Sequence, residues 1–202
     1  MNLPSKHLEE AVEQLSSLPG IGKKTALRLI LNLLNRSDDE VARFSNSFLT
    51  MKEKVKKCNT CSNITDFDIC FICENSKRDH KTICIVEDIR DIIAIEATQS
   101  YTGVYHVLGG IISPMDGIGP SDLNIQSLIE RVTLETPEEI IFALSATMEG
   151  DTTNFYLYKK LNPFNIKVTT LSRGVSVGSE LQYADELTLG RSLLQRQPFS
   201  TS

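Results

Sequence analysis

The sequence predicts a multi-module α/β protein: a helical N-terminal third, a small four-cysteine module, a mostly parallel sheet with helices, and a short C-terminal segment. Three observations predict it. Apolar residues recur at helical spacing through the first third of the chain. Four cysteines then fall between Cys58 and Cys73, and beyond about residue 82 short apolar runs alternate with helical patterns. With 202 residues, 41% of them hydrophobic and 23% charged, the chain can build one full domain and one or two small modules.

Several classes are excluded at once. The most apolar run, Ala26 to Leu34, is interrupted by Arg28 and Asn32 and is too short to span a bilayer. Glu9, Glu10 and Glu13 make the N-terminus amphipathic and unlike a signal peptide, so the chain reads as cytoplasmic with no membrane partner. A reducing compartment disfavours disulfides among its five cysteines. The net charge of −5 is unevenly spread. Residues 1–60 hold ten Lys/Arg against seven Asp/Glu, a balance of +3, and residues 61–202 carry −8. A polyanion would therefore be met by the N-terminal third, while the acidic remainder suits a basic protein or a divalent cation.

In order along the chain, Leu8, Ala11, Val12, Leu15 and Leu18 predict a helix over 5–18. Pro19-Gly20-Ile21-Gly22 breaks it, and a second helix starts at Lys23 or Lys24 and runs to about Arg36. Ser37-Asp38-Asp39-Glu40 is a capping box for a third, with Val41, Phe44, Phe48, Met51 and Val55 along one face. Apolar runs at Thr82–Val86, Val104–Leu108, Glu139–Leu144 and Ile166–Leu171 predict strands. They alternate with helical patterns near 88–98, 124–134 and 152–161, and a last helix is expected around Asp185–Gln195.

The segment Leu18 to Ala26 is a tight Gly-Ile-Gly turn between two helices. Gly20 and Gly22 let the backbone bend while Ile21 plugs inward, which leaves amide groups at a helix N-terminus facing out. Such a site attracts phosphate through free donors and the helix dipole. Lys23 and Lys24 add charge beside it, and Arg28 lies one turn beyond Lys24. Nothing here reads a base edge, so the expected ligand is DNA bound independently of sequence. The segment resembles the helix–hairpin–helix motif of DNA repair proteins. It does not fit an ATPase phosphate loop, because Lys24 follows Lys23 where Ser or Thr is needed and position 17 is serine.

Cys58-x2-Cys61 and Cys70-x2-Cys73 lie eight residues apart. Each turn can aim two sulfurs at one centre, giving a closed tetrahedral site that holds zinc structurally, with an iron–sulfur cluster as the second choice. Ile64, Phe67, Ile69, Phe71 and Ile72 are too few for an independent core, so the module needs the metal. Cys84 reads as a buried strand residue and His80 as a loop histidine.

Glu87 and Asp88 directly follow the first strand of the sheet, and Glu149-Gly150-Asp151 is placed on the loop before a helix. At the carboxyl edge of a parallel sheet these two acidic sites could converge on one Mg2+, or serve a protein contact. Asp88 and Asp151 also stand where helix N-caps belong. The arrangement is similar to the Toprim fold of topoisomerases and primases, with Glu149 in place of the first Asp of the metal-binding pair. A nuclease would show the full acidic set. A topoisomerase needs a nucleophilic tyrosine on another domain, and a primase needs a cationic channel.

Taken together, the hairpin, the cysteine module and the Toprim-type sheet resemble the RecR family of recombination mediators in their order. Tyr105-His106-Val107-Leu108-Gly109-Gly110, Pro114-Met115-Asp116-Gly117-Ile118-Gly119-Pro120 and Tyr183-Ala184-Asp185-Glu186 are similar to further signatures of that family. The resemblance implies a helix–hairpin–helix region over 1–57, a C4 zinc finger over 58–73, a Toprim domain over 81–177 and a C-terminal segment over 178–202. It implies a non-catalytic protein in DNA repair that works with RecO and RecF to load RecA on single-stranded DNA at gaps and breaks, assembled as a homotetrameric ring. The family's basic hairpin residues fall on Lys24 and Arg28. The rival readings are a metal-dependent Toprim nuclease or topoisomerase-like enzyme, and a zinc-ribbon regulator.

Overall fold

Ser5 opens the first helix, α1 (Lys6–Ser16), by accepting the Leu8 amide on its hydroxyl at 3.4 Å. α2 (Lys23–Leu34) packs on α1, with Val12 and Ala26 as their buried residues. α3 (Asp38–Lys54) starts where the capping box predicts. The Glu40 carboxylate accepts the Ser37 amide at 3.1 Å and the Ser37 hydroxyl at 2.9 Å. The amide bond is the main reason the Glu40 carboxyl sits below its usual range. One expectation changes here. Phe44 and Phe48 meet edge to face with ring centroids 5.0 Å apart, yet no residue of α3 is buried, so among the described residues the apolar stripe is a face without a core beneath it.

These coordinates form a computed structural model that describes residues 3–176, 178–196 and 198. The chain divides into two units, Met1–Val55 and Lys56–Ser202. Residues 177, 197 and 199–202 of the expected Toprim and C-terminal segments lie outside the described residues.

The second unit begins with β1 (Lys56–Lys57), paired antiparallel with β2 (Ile64–Thr65), and a single helical turn, α4 (Phe71–Glu74). Then β3 (Asp79–Val86), α5 (Ile89–Ala97), β4 (Gly103–Val107), α6 (Ile125–Glu135), β5 (Glu139–Phe142), α7 (Met148–Leu161) and β6 (Lys167–Thr170) follow in alternation. The segment ends with α8 (Glu186–Leu194). The four longer strands form one parallel sheet in the order β4-β3-β5-β6. Ile83 is paired with both Val104 and Ile140, and Ile83 to Val86 are buried, as a central parallel strand requires. Connections leave β3 and β5 toward opposite edges, so the topological switch point falls between their carboxyl ends, beside Glu87 and the loop before α7.

Two buried features stabilise this edge of the sheet. His106 on β4 is fully buried, with Nε2 at 2.9 Å from the Asn124 carbonyl oxygen, and burial pushes its imidazole down to about 4. Above about pH 6.5 both folded and unfolded chains carry the neutral ring. Between there and pH 4 the unfolded chain binds a proton that the folded one refuses, so stability falls across that window, by about 3 kcal/mol in all. Urea unfolding at pH 7 and pH 4.5 checks this: His106→Gln loses distinctly less stability over that range than the unaltered chain.

Gly150 is the second feature. A Cβ at this position would lie 1.9 Å from the Ser145 carbonyl oxygen. Only glycine lets the first turn of α7 sit against that loop, and Gly150→Ala is expected to cost about 3 kcal/mol, read as a lower urea midpoint with an unchanged slope. The same packing explains why α7 begins at Met148 rather than near residue 152. Thr147 caps the helix by accepting the Gly150 amide at 3.1 Å, so the glycine belongs to the helix and not to a loop.

Candidate nucleic-acid interface and metal centre

The turn between α1 and α2 is closed by the Ile21 amide donating to the Leu18 carbonyl at 3.1 Å. Gly20 has φ of +80°, in the left-handed region where a side chain is strained. Gly22 does not: it is extended at φ −79°, and a Cβ there would meet nothing within 4 Å. The sequence expects both glycines to serve the bend, but the fold needs only the first. Ile21 is half-buried.

Gly22 is the N-cap of α2, no side chain caps it, and the first turn carries no acid. The earliest amide with an intrahelical partner here is that of Ala26, which donates to the Gly22 carbonyl at 2.9 Å. The amides before it form an open donor cluster at the positive end of a helix. Lys23, Lys24 and Arg28 are exposed around it and make no ion pair among the described residues. The arrangement is able to take up an anionic oxygen with backbone donors and to hold its neighbours with three cations.

The cysteine module is a second site. The sulfurs of Cys58, Cys61, Cys70 and Cys73 all lie within 4.8 Å of one another, and the first three cysteines are buried. The Cys61 and Cys70 sulfurs are 3.6 Å apart. A disulfide needs about 2.05 Å. Four thiolates around one tetrahedral ion with bonds of about 2.3 Å stand about 3.8 Å apart. Ser62, at φ +62°, turns the chain back after Cys61, and the Cys58 amide donates to the Asn63 carbonyl at 2.7 Å. The Cys70 amide points at the Cys58 sulfur from 3.3 Å. The hydrogen bond between Cys61 and Cys70 pushes the Cys61 thiol up and holds Cys70 well below the usual thiol range.

The module adds little core of its own, although Cys58, Cys61, Cys70 and Ile72 join the buried core of the sheet. Ile64, Phe67, Ile69 and Phe71 are exposed and only Ile72 is buried. The Val107 amide donates to the Cys61 carbonyl at 2.8 Å and ties the module to the end of β4. His80 lies on β3, not in a loop, and its Nε2 is 3.1 Å from the Asn75 carbonyl oxygen. Cys84 is buried in the same strand, where burial pushes its thiol up to about 12.

The acidic edge differs most from expectation. Asp88 is the N-cap of α5: it accepts the Arg90 amide at 2.7 Å and pairs with the Arg90 guanidinium, which holds its carboxyl down. Asp91, which sequence reasoning missed, accepts the Glu87 and Asp88 amides at 3.0 and 3.2 Å. Burial, helped by Asp91 and Asp88, raises the Glu87 carboxyl. Glu149 and Asp151 lie in the first turn of α7, where Thr147 and not Asp151 is the cap. Asp151 accepts from Arg173 at 2.6 and 3.1 Å and faces Arg191 at 3.6 Å. Both arginines were missed, because an ion pair between residues so far apart leaves no local pattern. Among the described residues, the four cysteines are the only cluster of three or more His, Cys, Asp or Glu ligand atoms at such spacing.

An open helical hairpin, a four-thiol cage and a parallel sheet with an acidic carboxyl edge define a helix–hairpin–helix and Toprim protein. Family models agree: residues 8–51 match the RecR helix-hairpin-helix, 81–172 the Toprim domain and 174–197 the RecR C-terminal region. The chain is 57% identical over 197 residues to a protein named Recombination protein RecR in Bacteroides thetaiotaomicron, covering 98% of this chain and 96% of the relative. It is 57% identical over 199 residues to the protein of that name in Flavobacterium johnsoniae, covering 98% and 97%. In Flavobacterium psychrophilum the identity is 55% over 202 residues, covering 100% and 98%. The chain belongs to the RecR family of recombination proteins.

Proposed function

We propose that the chain is a non-catalytic DNA-binding mediator of repair and recombination. It grips the sugar–phosphate backbone through the α2 N-terminus, independently of sequence, and works with RecO- and RecF-type proteins to load a RecA-type recombinase on single strands at gaps and breaks. The observation that carries this reading is the uncapped first turn of α2 beside exposed Lys23, Lys24 and Arg28, which make no ion pair among the described residues. One hairpin touches few phosphates, and non-specific contacts alone give Kd of roughly 10⁻⁴–10⁻⁶ M. A homotetrameric ring in the cytoplasm supplies the missing avidity by multivalency. No helix among the described residues is long and apolar enough to cross a membrane.

Zinc is the ion that best suits the cysteine cage, since four thiolates leave no open position and make the metal structural. The acidic edge, with Asp88 and Asp151 already paired to arginines, serves protein contacts and no chemistry.

Gly22→Ala tests the grip with little interference from the fold. The new methyl group meets nothing within 4 Å among the described residues but stands where a phosphate would approach. Fluorescence anisotropy with labelled single-stranded DNA is expected to show about tenfold weaker binding, roughly one lost charge-assisted hydrogen bond's worth, at an unchanged melting temperature. Equal affinity would remove the hairpin from the interface. Loading is tested by adding the chain and its RecO-type partner to strands coated with single-strand binding protein and following recombinase filament growth.

A further inference from the structure

A divalent cation at a Toprim edge needs carboxylate oxygens that are free to coordinate it and retain water. Two of the four candidate donors here, Asp88 and Asp151, are committed elsewhere. Asp88 holds Arg90 and the α5 cap, and both oxygens of Asp151 are taken by Arg173, with Arg191 alongside. These hydrogen bonds from Arg173 are the main reason the Asp151 carboxyl sits below its usual range. Glu87 and Glu149 remain, but among the described residues no three ligand atoms gather at this edge, so the residues present do not fit the metal that the fold implies.

Both arginines come from the segment that follows the sheet. Arg173 lies just beyond β6 and Arg191 is on α8. α8 has nine residues, none of them buried, and Leu187, Leu193 and Leu194 are exposed. A helix of that length is marginal in water by itself, and little apolar surface holds this one down. Between it and the start of α7 lies a cavity of about 530 Å3 whose lining includes Thr147, Asp151, Arg173, Asp185, Thr188 and Arg191. Ala146, Met148 and Leu187 also line it, so charged and apolar groups share a joint that leaves space unfilled.

We propose that Asp151, Arg173 and Arg191 form a clasp in which two guanidinium groups take the place of a divalent cation and fasten the C-terminal segment to the carboxyl edge of the sheet. The acid that a Toprim enzyme would give to its metal is used here to hold a strap. The clasp is partly exposed, so each pair is weak alone and screened by salt, and the strap is releasable. It stands independently of whether the hairpin binds DNA.

Hydrogen exchange followed by mass spectrometry on the full chain tests it, with peptides over 186–194 as the readout and β3 peptides as the control for folding. Asp151→Asn and the pair Arg173→Gln with Arg191→Gln are each expected to speed exchange over 186–194 by about five- to tenfold. Combining all three is expected to add nothing further, and exchanging the charges as Asp151→Arg with Arg173→Asp restores part of the protection. Unchanged exchange in the single-site variant, or additive acceleration in the combination, would overturn the clasp. So would Mn2+ that binds the unaltered chain, as read by electron paramagnetic resonance, and is lost in Asp151→Asn.

Discussion

Replacing Lys24 and Arg28 together by glutamate is expected to weaken binding to single-stranded DNA by about a hundredfold near 0.15 M salt. Both side chains are exposed and make no ion pair among the described residues, so little of the folded state is lost when they change. The complex loses two phosphate contacts per chain and gains two repulsive charges beside the open amides of α2. The salt dependence should change with the affinity: the slope of log K against log salt is expected to become shallower by about two per engaged chain. Anisotropy titrations at several salt concentrations check both, and circular dichroism checks that the helices persist. An unaltered slope would mean that the phosphates are met elsewhere.

Loss of the metal is expected to have the largest effect on stability. The module over Cys58–Cys73 has one buried apolar side chain besides its cysteines, so apart from its seat on the sheet core the proposed zinc is what organises it. Structural zinc sites in small modules bind with apparent free energies of about 10–16 kcal/mol, and that binding is folding free energy. Chelation, or Cys70→Ser, is expected to unfold the module and, through the lost Cys61–Val107 hydrogen bond, to loosen the end of β4. The measurements are zinc content, expected at about one per chain, and the shift in melting temperature on chelation. A preparation that carries iron, or no metal while melting normally, would refute this account of the module.

Much of the fold was legible because its signals are local. The alternation of Thr82–Val86, Val104–Leu108, Glu139–Leu144 and Ile166–Leu171 with helical patterns led to a four-stranded parallel sheet, and the paired C-x2-C turns led to one sulfur cluster. The capping box at Ser37 placed the start of α3 for the same reason. What was not legible depends on distant contacts. Gly150 read as a loop glycine, since nothing nearby in the chain announces its approach to the Ser145 carbonyl. Glu149 and Asp151 read as a metal pair with an odd first member, since Arg173 and Arg191 join them only in three dimensions. Periodicity likewise gave α3 an apolar stripe but could not tell that nothing among the described residues buries it. At the hairpin the pattern Gly-Ile-Gly was right as a motif and wrong in one detail, because only φ values separate Gly20, needed by the turn, from Gly22, left bare at the helix end.

The chain is expected to hold DNA and leave it whole. The most direct measurement incubates the zinc-loaded protein with end-labelled gapped DNA and Mg2+, then resolves each sample on a native and on a denaturing gel. A retarded complex that dissolves with salt, over strands of unchanged length, is the predicted result. Strands shortened, joined or extended in proportion to protein would contradict it, as would gapped DNA that is never retarded at low salt.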